Sequence, residues 1–208
     1  MIPDVGAAAP AFDLESDDGS RRALSDFAGR WLVLYFYPRD NTPGCTREAA
    51  EFTAAAARLK KLGAEVVGVS RDSVKSHGSF RDKIKIGFRL LSDPGLVAHN
   101  AYGAWGKKTM YGKEIEGALR STFLVSPDGK VARVWKSVRV DGHADAVVDA
   151  IAELSAGRKA ATAAKPAPAK AKKTATAKKS AKTKASAKKA AHPGPKKATH
   201  GKPKARRT

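Results

Sequence analysis

The sequence predicts an α/β fold, a mixed central sheet flanked by helices, followed by a disordered basic tail. Three observations predict it. Trp31-Leu-Val-Leu-Tyr-Phe-Tyr37 is an unbroken aromatic and branched run that stops at Pro38, the pattern of a strand buried on both faces. From Thr46 to Leu62, Ala49, Phe52, Ala56 and Leu59 recur at three and four residues, one apolar helical stripe that Gly63 ends. After Glu153-Leu154-Ser155-Ala156-Gly157 only Ala, Lys, Thr, Ser, Pro, Gly, Arg and two His remain, with no core-forming side chain larger than alanine. Such a segment cannot offset its ordering entropy by burial.

The remaining elements follow in order. Glu65-Val-Val-Gly-Val-Ser70 reads as a second strand, so strand, helix and strand form a βαβ unit with parallel pairing. A second helix is expected over Val74 to Ile84. Arg120 to Ser126 and Lys130 to Trp135 flank Pro127-Asp128-Gly129, a turn that makes them an antiparallel hairpin. Ala144 to Leu154 sets Val147, Val148, Ile151 and Leu154 on one helical face and closes the body. The expected division is a folded domain over 1–156 and a tail over 157–208.

Length and charge sharpen this division. A chain of 208 residues, 42% hydrophobic, can build one ordinary core plus an appendage. The formal charge of +20 is unevenly placed: 18 of the 40 basic residues and none of the 20 acidic ones lie from Arg158 onward. No apolar run approaches a membrane span, the longest being Trp31 to Tyr37. One cysteine excludes an intramolecular disulfide and a CxxC redox pair, and favours a reducing compartment. A cytoplasmic protein without a membrane partner is expected.

That cysteine lies in Thr42-Pro43-Gly44-Cys45, between a buried strand and a helix, where α/β folds commonly present ligand sites. Thr42 can cap the helix, and Pro43 suits its first position, where a missing N–H is harmless. Cys45 then sits in the first turn. There the helix dipole and free N–H groups favour the thiolate, lowering a pKa otherwise about 8.5. Cys45 also continues the stripe of Ala49, Phe52, Ala56 and Leu59, as a small buried hydrophobe would. Spacing alone does not choose between these readings.

The wording Tyr37-Pro38-Arg39-Asp40-Asn41-Thr42-Pro43-Gly44-Cys45-Thr46 resembles the active-site loop of the peroxiredoxin family. Pro38, Thr42 and Cys45 match its spaced Pro, Thr and Cys. Over about the first 155 residues the chain is similar to the bacterioferritin comigratory protein and peroxiredoxin Q branch, through Leu91-Ser-Asp-Pro94, Tyr102-Gly-Ala-Trp-Gly106 and Arg120-Ser-Thr-Phe-Leu124. The resemblance implies a thioredoxin-like fold and a peroxidase that attacks the O–O bond of hydrogen peroxide or an organic hydroperoxide with the Cys45 thiolate. Negative charge then moves from sulfur to oxygen, and fixed donors must follow it. The resemblance assigns Arg120 to the thiolate and the leaving oxygen, Thr42 and the Gly44 and Cys45 N–H groups to the peroxide, and Pro38 to shielding the sulfur. On composition alone Arg120 reads as a solvated strand residue, and Thr42 as a cap.

The chain departs from the branch at Ala50, where many relatives carry a second cysteine, and it has none on the next helix either. The resemblance therefore implies a one-cysteine cycle in which an external thiol, thioredoxin or glutathione or similar, reduces the Cys45 sulfenic acid. A monomer or weak dimer without metal or cofactor is expected.

In the tail, Lys172-Lys173, Lys178-Lys179, Lys188-Lys189 and Lys196-Lys197 recur among alanines and prolines, a texture that resembles linker-histone tails. Such a tail can neutralise phosphates with little sequence preference, implying nucleic acid as a partner and nucleoid association. It could also serve solubility alone. The competing function is a nucleic-acid-binding protein with a weakly active or inactive peroxiredoxin head.

Other motifs carry less. Gly106-Lys-Lys-Thr109 lacks the earlier glycine of a phosphate loop, and Gly68-Val-Ser-Arg-Asp72 fails the nucleophile-elbow pattern. His77, His99 and His143 show no partner pattern and are assigned to the surface or to packing. Trp105 is assigned to filling a loop rather than to the peroxide entrance.

Overall fold

The computed structural model describes residues 1–110 and 113–163. Its frame is a seven-stranded sheet, and its centre is β3 (Trp31–Phe36), every residue of which is buried. Alternation along β3 divides the core. Trp31, Val33 and Tyr35 join one apolar cluster, and Leu32, Leu34 and Phe36 join the other. A strand covered on both faces needs an uninterrupted apolar run, which is what this segment supplies.

The helix α1 (Pro43–Lys61) follows, and the chain returns as β4 (Ala64–Ser70), parallel to β3 with Val33 opposite Val66. A Cβ at Gly68 would lie 2.7 Å from the Tyr35 hydroxyl and 2.8 Å from Leu90, so only glycine fits between these neighbours. Next come α2 (Val74–Ile84) and β5 (Arg89–Ser92), which is parallel to β4. The hairpin of β8 (Ser121–Val125) and β9 (Val131–Lys136) is antiparallel, with β8 alongside β3. The helix α4 (His143–Ala163) packs Val147 and Ile151 into the same cluster as Phe52 and Leu59 of α1.

Several elements went unread in the sequence. Two short strands, β1 (Asp13–Ser16) and β2 (Arg21–Ala23), form a hairpin on the edge next to β5, giving the order β2-β1-β5-β4-β3-β8-β9. A one-turn helix α3 (Val97–Ala101) precedes a separate hairpin of β6 (Trp105–Met110) and β7 (Lys113–Ala118). Strands of three or four residues, and a polar glycine-containing hairpin, carry too little alternation to register. The α4 helix continues past Ala156 to Ala163, through Gly157 and Thr162 and otherwise on alanine, lysine and arginine, which are strong helix formers. Lys172, Lys173, Lys178, Lys179, Lys188, Lys189, Lys196 and Lys197 lie outside the described residues. Among the described residues no helix is long and apolar enough to cross a membrane.

Candidate active site

The end of β3 and the start of α1 hold the loop that carries Cys45. Thr42 has extended backbone at the N-cap and Pro43 opens the helix, so Cys45 falls in the first turn. Thr46 N–H makes the first helical bond, to Thr42 O at 2.9 Å, which leaves the Gly44 and Cys45 N–H groups ahead of the ladder. One expectation is corrected here. The Thr42 hydroxyl does not cap the helix but donates backward to Arg39 O at 3.1 Å, bracing the loop.

Cys45 is 1% exposed. Arg120, from the end of the β7–β8 connection, donates from Nη2 to Cys45 Sγ at 3.2 Å and from Nη1 to Glu48 Oε2. Arg120 is thus no solvated strand residue. It spans a sulfur and a carboxylate in the interior, where charge-assisted bonds are strong. A Cβ at Gly44 would already touch Arg120 Nη2 at 3.4 Å, so glycine leaves the guanidinium its room. Pro38 is half-buried at the mouth of the loop.

Glu48 was missed by sequence reasoning. It is 1% exposed, its Oε1 has no partner, and burial pushes its carboxyl up to about 7 although Arg120 pulls the other way. Arg120 resists the opposing effect of burial through Glu48 and Cys45, and its pKa is raised. The available signal was a carboxylate three residues after Cys45, inside the buried stripe of α1.

A second polar cluster anchors the other end of the loop. Asp40 is buried. It accepts from the Tyr37 hydroxyl at 2.8 Å and the Ser76 hydroxyl at 2.7 Å, and its Oδ2 stands 2.9 Å from His77 Nδ1. Asp40 N–H donates to Asp72 Oδ2 at 2.8 Å, and Asp72 also accepts from Ser70 Oγ at 2.7 Å. Burial opposes the Asp40 charge, but hydrogen bonds from His77, Ser76 and Tyr37 hold its carboxyl below the ordinary value. Loop residues 38–42 are therefore tied to β4 and α2.

Of the two readings of the histidines, surface or packing, the interior one holds. His77, His99 and His143 are all buried: His77 on Asp40, His99 with Nδ1 2.8 Å from Asp93 Oδ2, and His143 with Nε2 2.8 Å from Thr122 Oγ1. Burial, with Arg120 nearby, pushes His143 down to about 4. Trp105 is no loop filler. It opens β6, meets His99 edge-on, and carries the Arg71 guanidinium 4.9 Å above its ring. Ala50 is exposed, on the opposite side of α1 from Cys45. Among the described residues no group of three or more His, Cys, Asp or Glu is placed to hold a metal ion.

Comparison with known proteins agrees with this arrangement. Residues 5–134 match the AhpC/TSA family. Peroxiredoxin Bcp of Xanthomonas campestris is 48% identical over 145 residues, 69% of this chain and 91% of the relative. A solved structure of the Xanthomonas campestris bacterioferritin comigratory protein, described for its alkyl peroxide reduction activity, superposes with TM-score 0.69 at 44% identity, covering 73% of this chain and 99% of that one. Xanthomonas campestris peroxiredoxin Q has also been solved with one or the other of two cysteines changed to serine, each structure with TM-score 0.67, covering 74% of this chain and 99% of that one, at 45% and 44% identity. This chain has one cysteine, and it is the buried one against Arg120. The thioredoxin-like layout of its sheet, the loop at the head of α1 and this breadth of similarity place the chain in the AhpC/TSA family, as a peroxiredoxin, a thiol-dependent peroxidase.

Proposed function

We propose that the enzyme runs a one-cysteine cycle on Cys45. The observation that carries this reading is the Arg120 Nη2 to Cys45 Sγ contact of 3.2 Å inside a buried pocket. The Cys45 thiolate attacks one peroxide oxygen, the S–O bond forms, the O–O bond breaks, and the leaving oxygen departs as hydroxide or alkoxide and takes up a proton. Arg120 favours the thiolate and then the leaving oxygen, and the Gly44 and Cys45 N–H groups and the Thr42 hydroxyl add donors to the peroxide. Glu48 positions Arg120. Pro38 limits water at the sulfur.

With Ala50 in place of a second cysteine, the Cys45 sulfenic acid is reduced by an external thiol. Hydrogen peroxide or an organic hydroperoxide is the oxidant. Thioredoxin, glutathione or a similar thiol is the reductant. The lysine-rich tail adds salt-sensitive affinity for nucleic acid and would hold the peroxidase near the nucleoid. The clustering of 18 basic residues beyond a nearly neutral body favours this second activity.

The test counts peroxide. Without added thiol, the reduced protein should consume one equivalent of hydrogen peroxide per chain and yield a trappable sulfenic acid on Cys45. Catalytic consumption by Cys45→Ser, or continued turnover of the native chain without thiol, would overturn the cycle. Removing Arg158 to Thr208 should abolish duplex binding and spare peroxide reduction.

A further inference from the structure

Beside the active-site loop lies a cleft of ≈360 Å³ that the peroxide chemistry does not use. Pro38 and Arg39 line it, and Arg71, Trp105, Lys108 and Ala118 are among the residues that complete it. Pro38 and Arg39 belong to the loop that carries Cys45, and Ala118 stands two residues ahead of Arg120 in the chain. Arg39 also lines a ≈410 Å³ hollow on the Thr42 side of the same loop.

Arg21, Arg30, Arg47, Arg58, Arg81 and Arg89 each pair with a carboxylate, as do Arg120 and Arg133. Arg39 and Arg71, like Arg22 and Arg139 elsewhere, have no such partner among the described residues, but only Arg39 and Arg71 are exposed together on one cleft. The Arg71 guanidinium instead sits 4.9 Å from the Trp105 ring centroid. Lys108 donates to Ala118 O at 2.9 Å. Two acids share the lining, Asp72 and Glu116. Asp72 is already engaged by the Asp40 N–H and the Ser70 hydroxyl.

We propose that this cleft seats the reductant and selects a small thiol that carries carboxylates, held by Arg39 and Arg71. The proposal rests on the one-cysteine cycle above. Hydrogen peroxide needs no such surface, whereas a thiol that must reach a nearly buried sulfur does, and a cavity of this size suits a short peptide rather than a folded protein. The thiol sulfur attacks the Cys45 sulfenic acid, the S–O bond breaks, an S–S bond forms and water leaves. A second thiol attacks the mixed disulfide, releasing the Cys45 thiolate and the oxidised small-molecule disulfide.

The test uses the full chain with Cys45 first converted to its sulfenic acid by one equivalent of peroxide. Mixed-disulfide formation is then timed by intact mass with glutathione and with glutathione diethyl ester, which lacks the carboxylates. Glutathione should react roughly tenfold faster, the effect of two exposed charge contacts. In the Arg39→Ala/Arg71→Ala double variant the ratio should fall to about one. Equal rates in the native protein would overturn the proposal. So would a ratio that survives in the double variant, since it would then come from the basic tail. If peroxide fails to oxidise Cys45, the one-cysteine reading itself fails. The cleft is then read by the indole N–H resonance of Trp105, which glutathione should shift and the diester should not; no shift overturns the proposal.

Discussion

Two buried carboxylates hold the two ends of the active-site segment, and they behave in opposite ways. Asp40 is held below its ordinary pKa, and Glu48 is pushed up to about 7. Burial works against both charges. The difference lies in donors: Asp40 faces Tyr37, Ser76 and His77, while Glu48 has Arg120 on one oxygen and nothing on the other. A saturated carboxylate stays charged and fixes the loop. An under-supplied one sits at the edge of protonation beside the guanidinium that touches the sulfur. The first cluster is a rigid anchor, and the second is poised to respond.

The sharpest break of the comparison is Arg120→Ala. It removes the donor on Cys45 and strips Glu48 of its guanidinium, so peroxide oxidation of Cys45 should slow by about 10²–10³-fold. Stopped-flow measurement of sulfenic acid formation reads this directly, and a loss below threefold would remove Arg120 from the mechanism. Arg120→Lys should recover little, because an ammonium cannot bridge sulfur and carboxylate with two fixed donors.

On the anchor side, Asp40→Ala leaves the Tyr37 hydroxyl, the Ser76 hydroxyl and His77 without their acceptor in the interior. The expected cost is about 2–4 kcal/mol. A urea titration at pH 7 should show the midpoint fall with the slope unchanged. A cost under 1 kcal/mol would mean that the loop is held elsewhere.

The folded pKa of Glu48, about 7, lies above its ordinary 4.5. The stability it contributes is therefore fully present below 4.5 and is lost as pH rises through 7. His143, pushed down to about 4 from 6.5, contributes in the opposite window, with stability present above 6.5 and lost as pH falls through 4. Subtracting the Glu48→Gln stability curve from the native one isolates the Glu48 share, expected to be on the order of 2 kcal/mol between pH 4.5 and 8. A flat difference curve would show that Arg120 neutralises Glu48 fully.

The contrast also explains which features are legible in the sequence. The run Trp31 to Phe36 announces a doubly covered strand because burial on both faces erases alternation, and α1 announces itself by its stripe. Cys45 and Thr42 could be placed at the head of that helix from Pro43 alone. Arg120 became readable only through resemblance, since nothing local distinguishes an arginine that meets sulfur across the fold from one in water. Glu48 left a local trace, a charge on an apolar stripe. Asp40 and His77 left none as a pair, because their contact depends on how the α2 helix docks against the loop. Arg39 and Arg71 likewise gain meaning only from the cleft that the fold brings them to share.

The finest test compares two stacked tyrosines that differ in what their hydroxyls meet. Tyr35 and Tyr37 lie with ring centroids 5.4 Å apart, both buried, but the Tyr37 hydroxyl donates to Asp40 while the Tyr35 hydroxyl has no partner. Tyr37→Phe should cost about 1 kcal/mol, since Ser76 and His77 still serve Asp40. Tyr35→Phe removes an unsatisfied hydroxyl and should be neutral or stabilising by up to about 1 kcal/mol. The Tyr37→Phe cost should also depend on acid. Asp40 is held low in the folded state, so its contribution is present above 3.8 and is lost as pH falls through the folded pKa. The gap between native protein and Tyr37→Phe should therefore be widest near neutrality and shrink below pH 3.8. Equal costs for the two substitutions would show that ring packing, rather than the supply of donors to a carboxylate, sets the stability of this anchor.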